Sequence, residues 1–405
     1  MILFLFFLFI SITGSEKKYI DLNPKIEKYL DPLKNLTDTI FNGYHKHVAP
    51  LVSVPYTSET SDSTSCVLFL NTLNIINLDE LNELMTVTID LYQYWYDPRL
   101  RWDRKLHSDI QEFYVQQQHV WNPPFRIYSA NEMKDQREEG LRTVRLIFNG
   151  MLDARHAAQI TTVCKLKMDD FPFDIQVCNI TMGISSIKSR LYDFGLELIP
   201  KVVKDSCSFG NSAWDLIDIR IKHCHSPQRM IEVEEKTAKI VLTLKRNPVY
   251  YMYMIVLPTS VINTFSILGV FMKGNGKFEK LEMGLAHIMT MMVVLIMIAE
   301  KLPKTSQVPL LGKYIIFNLC SMIVALMIST NQKNMRNLLS RKYFRINKNY
   351  TKRMLTCCVI IMQIANFSSS IYILYRYLVF EHRHEPPVCK RAEEYNYDRV
   401  FEHNE

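Results

Sequence analysis

The 405-residue chain lacks the short motifs that mark most enzymes and metalloproteins. It contains no glycine-rich phosphate-binding loop, no H-E-x-x-H pair of histidines and no G-x-S-x-G nucleophile turn. Internal repeats and low-complexity segments are missing as well. We therefore expect neither an enzyme nor a cofactor or metal site.

A basic face suited to nucleic acid is also missing, although the net charge is +7. The basic residues concentrate in one short segment, residues 331–353, which holds eight Lys and Arg and no Asp or Glu. A nucleic-acid-binding face needs its charges spread along a surface. The charge pattern thus predicts no nucleic-acid partner.

The sequence begins with a nearly unbroken apolar run from Met1 to Ile12, followed by small residues and then by charge. This run is too short to span a bilayer of about 30 Å and is typical of a secretory signal peptide over residues 1–15, with a buried or anchoring helix as the alternative. Export leads to an oxidising compartment, where cysteines can form bridges and the sequons at Asn35 and Asn179 can carry glycans.

Apolar and polar residues mostly alternate before Pro248, as in Val87, Ile89 and Leu91 against their polar neighbours. Such period-two runs, separated by Pro, Gly, Asn and Asp clusters, indicate a β-sandwich. We predict an extracellular β-sandwich domain over residues 16–247.

Four long apolar stretches follow, at residues 250–271, 281–299, 311–330 and 355–380. About 20 residues cross the hydrocarbon layer at 1.5 Å per residue, so we predict a four-helix transmembrane bundle in contact with membrane lipid over residues 248–380. Core helices of a soluble protein are the alternative. By the positive-inside rule the basic loop 331–353 is cytoplasmic, which places the tail 381–405 outside the cell.

Cys164 and Cys178 enclose thirteen residues that include Phe171-Pro172-Phe173-Asp174. The spacing alone is a weak signal, because cysteines so placed can bridge in any secreted protein. Together with the enclosed motif, the segment resembles the loop of the Cys-loop receptors, which are pentameric ligand-gated ion channels of the nicotinic-acetylcholine-receptor type. Other similarities to that family are Trp95-Tyr-Asp-Pro-Arg-Leu-Arg-Trp102, Trp121-Asn-Pro123, Arg246-Asn-Pro248, the mid-helix Pro258 and Pro309-Leu-Leu-Gly312.

The resemblance implies a Cys164–Cys178 disulfide in a loop that lies over the membrane domain. It also implies a gating interface between the two domains, in which acids of the loop after the first strand face an arginine that precedes the first membrane helix. The residues that correspond to this interface are Asp79, Glu80, Phe171, Pro172, Phe173, Arg246 and Pro309.

The second apolar stretch can be interpreted as a pore helix. Alternating steps of three and four residues place one stripe on a single helix face: Glu279, Glu282, Ala286, Met289, Val293, Ile296 and Glu300. In a ring of five subunits this stripe gives acidic rings at both mouths and an apolar constriction between them. His287 lies off the stripe, and we expect it to pack or to form a hydrogen bond between helices rather than to sense protons.

The aromatic cage that binds quaternary amines in this family is largely missing here. Tyr128 fits the first cage position and is the one ligand-binding candidate, whereas Asp90 stands where an aromatic residue is usual. Cys207 and Cys224 can form a second disulfide, although His223-Cys224-His225 can be interpreted as a metal ligand set instead.

The resemblance therefore implies a channel subunit, cation-selective because carboxylate rings favour cations. Its expected partners are a small-molecule ligand, permeant cations and related subunits in a homo- or hetero-pentamer. The alternative is a non-conducting family member that acts in receptor assembly, trafficking or signalling.

Overall fold

The computed structural model describes residues 24–50, 64–184, 192–198, 211–227, 234–271, 276–303, 307–331 and 348–383. Strands occupy the part before Pro248 and long helices the part after it. The strands are β1 (Thr64–Asp79), β2 (Leu84–Tyr96), β3 (Glu112–Gln116), β4 (Phe125–Ile127), β5 (Ala130–Asp135), β6 (Thr143–Ile147), β7 (Met151–Val163), β8 (Ile175–Ile184), β9 (Tyr192–Leu198), β10 (Trp214–Pro227) and β11 (Glu234–Arg246). The helices are α1 (Pro24–Phe41), α2 (Val249–Phe271), α3 (Lys277–Ala299), α4 (Leu310–Thr330) and α5 (Lys348–Arg383).

The described residues form two compact units. The first unit comprises the described parts of Met1–Thr64, together with Tyr94–Asn122 and Arg142–Ala154. In it, β6 pairs antiparallel with β3 on one side and with the start of β7 on the other.

A buried carboxylate organises the turn after β2 in this first unit. The Arg99 guanidinium donates to Asp97 at 2.7 Å, and the Tyr44 hydroxyl donates to the same carboxylate at 2.9 Å. Burial, followed by the nearby Asp97 charge, raises the pKa of Tyr44 to about 12, so the hydroxyl keeps its proton. These contacts explain why the turn carries an Asp and an Arg two residues apart.

The second unit holds the rest of the β domain and all of the long helices. One of its sheets has the strand order β7–β2–β1–β9, with β5 also paired to β7, and the other has the order β10–β11–β8–β4. Apolar side chains from both sheets form one buried core, as period-two alternation requires. Val87, Ile89 and Leu91 of β2 and Ile240 and Leu242 of β11 are all 1% exposed or less. A β-sandwich is thus confirmed.

One strand departs from the simple alternation. In β10 the pairing register with β11 shifts between Leu216 and Asp218, which leaves Ile217 as an extra residue. As a result Leu216 is buried, whereas Ile217 is only half-buried. A bulge of this kind exchanges the two faces of a strand partway along it.

Helices α2 to α5 are long and apolar enough to cross a membrane. Helix α3 begins four residues before the predicted stretch, and α5 extends beyond it at both ends, to Lys348 and Arg383. In α2 a π-helical segment, Met252–Val256, precedes Pro258. Directly after this proline, the Thr259 hydroxyl donates to the carbonyl of Ile255, four residues back, at 2.7 Å, a local side-chain bond that is often found at bends in helices.

Buried polar side chains join the four helices. The Asn263 amide of α2 donates to Asn366 of α5 at 3.0 Å and lies 3.3 Å from the acceptor oxygen of Asn318 in α4. His287 of α3 is buried, and its Nδ1 lies 3.1 Å from the Ser266 hydroxyl of α2. Hydrogen bonds of this kind hold transmembrane helices together, because lipid offers polar groups no alternative partner.

Candidate functional site

The loop between β7 and β8 is closed by a disulfide. Cys164 directly follows β7 and Cys178 lies within β8, with their Cα atoms 5.1 Å apart. The predicted Cys164–Cys178 bridge is therefore confirmed. Phe171, Pro172 and Phe173 at the tip of this loop are buried.

Arg246, the last residue of β11, is the centre of the site. It is 1% exposed, and it binds Asp174 of the disulfide loop through its Nε at 2.7 Å and through Nη2 at 3.2 Å. Its Nη1 contacts the carboxylate of Glu80, which follows β1. The guanidinium also lies over the rings of Trp214, at 4.2 Å, and Phe171, at 4.7 Å. With Tyr251, whose ring centroid is 5.7 Å away, the buried arginine thus has two carboxylates and three aromatic rings around it, which offsets its loss of hydration.

The electrostatics of the cluster favour a charged Arg246. Burial by itself lowers the pKa of the guanidinium, but Asp174 and then Glu80 outweigh burial, and the net pKa is raised. The pKa of Glu80 is raised, chiefly by burial and despite the attraction of Arg246. Burial therefore disfavours the charged form of Glu80, whereas the charged form of Arg246 is favoured.

The two predicted acids at the end of β1, Asp79 and Glu80, have different partners. Glu80 contacts Arg246, whereas the Asp79 carboxylate accepts hydrogen bonds from the Asn82 backbone at 3.0 Å and from the Asn82 side chain at 2.8 Å. These two hydrogen bonds lower the pKa of Asp79. Asp79 thus stabilises the turn between β1 and β2 and does not contact Arg246.

Backbone hydrogen bonds connect the disulfide loop to α4. The amide of Leu310 donates to the carbonyl of Asp169, and the amide of Leu311 donates to the carbonyl of Phe171, each at 3.1 Å. Pro309, the predicted interface residue, directly precedes α4 and caps its N-terminus. The first amides of a helix have no partner within it, so the loop satisfies donors that α4 would otherwise leave free.

Aromatic packing and one ion pair connect the same loop to α2 and α5. Phe171 packs edge to face on Tyr251 of α2, with ring centroids 4.8 Å apart, and Phe173 lies 5.9 Å from Phe380 of α5. Arg376 of α5 binds Asp170 at 2.6 Å. The loop therefore contacts α2, α4 and α5 at once, so a displacement of the loop reaches three helices.

Three charged participants escaped the sequence prediction: Asp174, Asp170 and Arg376. Asp174 ends the Phe171–Asp174 motif, and its position in that motif was a usable signal. Arg376 is a charged residue inside an apolar stretch, which marks a functional or paired residue in a membrane helix. Nothing local to Asp170 indicated its partner, because the two residues are 206 positions apart.

The predicted pore stripe occupies the exposed face of α3. All seven of its residues are exposed: Glu279, Glu282, Ala286, Met289, Val293, Ile296 and Glu300. The opposite face carries the buried residues Gly284, His287, Met291 and Ile298. The chain therefore buries one side of α3 in its own bundle and leaves the stripe without a covering element among the described residues.

The region of the predicted ligand site contains an ion pair where the family has an aromatic residue. Asp90 is buried, and Arg155 donates to it through Nε at 2.9 Å and through Nη2 at 2.7 Å. Asn71 donates to the same carboxylate at 2.9 Å. Tyr128 is half-buried, with the Arg126 guanidinium 6.0 Å from its ring centroid. The side chains that bind Asp90 are an amide and a guanidinium. Neither offers the electron-rich ring face that a cationic ligand would need.

Several predicted features lie outside what the structure describes. These are the signal peptide 1–15, Cys207, the side chain of Cys224, loop residues 332–347 and tail residues 384–405. Asn35 and Asn179 are both exposed. In the part of the chain that is described, no group of three His, Cys, Asp or Glu side chains is arranged to hold a metal ion.

Comparisons with known proteins agree with the two-part architecture. The family model for the neurotransmitter-gated ion-channel ligand binding domain matches residues 33–248, and the model for the neurotransmitter-gated ion-channel transmembrane region matches residues 255–346.

Similar proteins include neuronal acetylcholine receptor subunits. Subunit beta-3 of Gallus gallus is 26% identical over 75% of this chain and 64% of its own length. Subunit non-alpha-3 of Carassius auratus is 27% identical over 70% of this chain and 58% of its own length. Subunit alpha-6 of Homo sapiens is 25% identical over 73% of this chain and 58% of its own length. The match thus spans less than two thirds of the length of these relatives.

The matched family consists of receptors rather than enzymes, and its members are multi-pass proteins of the plasma membrane with the ligand-binding domain outside the cell. The disulfide loop, the Arg246 cluster and the four apolar helices are the corresponding features of this structure. This chain belongs to the neurotransmitter-gated ion-channel family.

Proposed function

We propose that this chain is one subunit of a pentameric, cation-selective channel that opens when a small extracellular ligand binds. The exposed stripe of α3 carries this proposal. Glu279 and Glu300 lie at the two ends of the membrane-spanning part of α3, whereas Glu282 lies one turn inside it, where a carboxylate that faced lipid would be costly. Five copies around a water-filled axis remove that cost, because the stripe then faces water.

The stripe also explains selectivity. Carboxylate rings at Glu279, Glu282 and Glu300 attract cations and repel anions at both mouths of the pore. Between them Ala286, Met289, Val293 and Ile296 form an apolar constriction that closes by losing its water. Whether related chains complete the ring decides how many carboxylates each level holds, and hence how strongly they repel one another.

The contacts around Arg246 supply a means of coupling ligand binding to the pore. Arg246 lies at the end of β11, and three residues later α2 begins. The disulfide loop bound to Arg246 also accepts hydrogen bonds from the first amides of α4. We infer that a shift of the β domain changes these contacts together, which is a plausible two-state element for gating.

The test is electrical recording from cells that express the chain alone or together with a related subunit. A ligand-evoked current that reverses with the sodium or potassium gradient is the expected result. In Glu279→Ala the loss of about 1 kcal/mol of attraction lowers inward cation conductance about fivefold. Glu132→Ala is the matched control, because Glu132 is an exposed acid on β5. A current that follows the chloride gradient contradicts the proposed selectivity.

A second candidate function is favoured by the Asp90–Arg155 ion pair. A guanidinium at this place repels a quaternary amine, so this chain can be a member that binds no such ligand and acts in receptor assembly, trafficking or signalling. Under this alternative the chain reaches the cell surface but carries no current alone or with related subunits. Increased surface delivery of a co-expressed subunit then supports it.

A further inference from the structure

Helix α3 is unusually rich in methionine. It contains five methionines in 23 residues, at positions 283, 289, 291, 292 and 297. Their environments differ sharply: Met289 is 66% exposed, whereas Met291 is fully buried in the helix bundle. The same helix therefore holds an accessible thioether and an inaccessible one only two residues apart.

Met289 lies at the middle of the exposed stripe. Ala286 precedes it by three residues and Val293 follows it by four, so these side chains follow one another along one helix face. The acids of the stripe lie nearer its ends, at Glu279, Glu282 and Glu300. In the pore proposed above, five Met289 side chains form one apolar level of the constriction.

Oxidation changes this level from apolar to polar. A thioether becomes a sulfoxide, which is polar and accepts hydrogen bonds. An apolar constriction blocks ions because water leaves it, and polar groups at the same level retain water. Five sulfoxides at Met289 therefore favour a hydrated pore without any ligand.

We propose that Met289 is an oxidation site through which hydrogen peroxide opens the pore, an inference that rests on the proposed channel function. The Met289 sulfur attacks one peroxide oxygen, an S–O bond forms and the O–O bond breaks. The departing hydroxide takes up the proton of the transferred oxygen and leaves as water. The sulfur loses two electrons and the peroxide gains them. Methionine sulfoxide reductases reverse the modification.

The chemical part of the proposal is tested on membranes that contain the full chain. Peroxide is added in steps, and fragment-ion mass spectrometry of the peptide 281–301 assigns each added oxygen to a residue. The expected result is that Met289 is oxidised well before Met291, the buried control. Equal oxidation of the two residues, or oxidation of Met291 first, overturns the proposal.

The functional part is tested by recording from the same cells. Peroxide is expected to raise the ligand-free cation current severalfold in the wild type, and reductase treatment to reverse the rise. Met289→Leu abolishes the response because leucine has no sulfur, and Met289→Gln shows a raised ligand-free current before peroxide is added. Met291→Leu and Met297→Leu retain the response. A response that persists in Met289→Leu, or that disappears in Met297→Leu, overturns the proposal.

The two proposals fail in distinguishable ways. Ligand-evoked cation currents that peroxide leaves unchanged refute the oxidation site alone. Silence under ligand, under peroxide and in Met289→Gln, despite delivery to the surface, refutes the channel function and with it the oxidation site.

Discussion

Charged residues occur in two contrasting settings in this chain. Arg246 is 1% exposed and is surrounded by Asp174, Glu80 and three aromatic rings from the same chain. Glu279, Glu282 and Glu300 on α3 are exposed. Burying a charge costs several kcal/mol unless partners replace its water, so the first setting is complete within one chain, whereas the second requires water. In the function proposed above, the first setting is the rigid coupling element and the second is the water-exposed lining of the pore.

Replacement of Arg246 has the largest expected effect on folding. Arg246→Ala leaves Asp174 buried without its partner, which destabilises by about 3–5 kcal/mol. Arg246→Lys keeps a charge but cannot bind Asp174 through two nitrogens, so it also lowers stability. The measurement is the melting temperature of the purified protein together with its yield at the cell surface.

Arg220→Ala provides the control for this prediction. Arg220 also binds a carboxylate, Asp218, but its side chain is 72% exposed, so its loss changes stability by about 1 kcal/mol or less. Equal effects of Arg220→Ala and Arg246→Ala would contradict the contrast between buried and exposed charges.

The pH dependence of stability sharpens the same contrast at Glu80. Burial raises the pKa of Glu80 above its ordinary value, so the folded state holds the proton more tightly than the unfolded state does. This contribution to stability is present below the unfolded pKa and is lost as the pH rises through the folded pKa. The stability of the wild type relative to Glu80→Gln therefore falls as the pH rises from the unfolded to the folded pKa of Glu80. Above the folded pKa the difference in stability between the two proteins stays constant.

Melting temperatures of both proteins, measured from acidic to neutral pH, give this difference. Glu83→Gln is the control, since Glu83 lies in the same turn. A wild type that gains stability relative to Glu80→Gln as the pH rises would show that attraction to Arg246 outweighs burial.

The smallest expected effect belongs to the ion pair between Asp170 and Arg376. Both side chains are partly exposed, so a double-mutant cycle with Asp170→Asn and Arg376→Gln gives a coupling energy of about 0–1 kcal/mol in stability. If the chain forms the proposed channel, the ligand concentration for half-activation can be measured for the same four proteins. The coupling energy from these values reports whether α5 takes part in gating. A coupling energy above about 2 kcal/mol would place this pair with the buried charges instead.

Much of the architecture could be predicted because it follows from short-range patterns. Period-two alternation places Val87, Ile89 and Leu91 in the core, and the length of the apolar stretches indicates the membrane helices. The bulge at Ile217 could not be predicted, because an extra residue in one strand is defined only by the partner strand.

The site was predictable where a motif carries it and obscure where distant residues meet. The Cys164–Cys178 bridge followed from the motif between the two cysteines. The different partners of Asp79 and Glu80 did not, since adjacent acids in a turn look alike until Asn82 and Arg246 are placed around them.

The amino-acid sequence alone determines which segments are strands, which helices can cross a membrane and which face of α3 carries acids at both ends. These properties depend on residues within about twenty positions of one another. Only the tertiary structure decides that Arg246 binds both Asp174 and Glu80 and that Asp90 forms an ion pair with Arg155. It also decides that Met289 is exposed while Met291 is buried. Each of these depends on which elements pack together, and packing brings together side chains that are far apart along the chain.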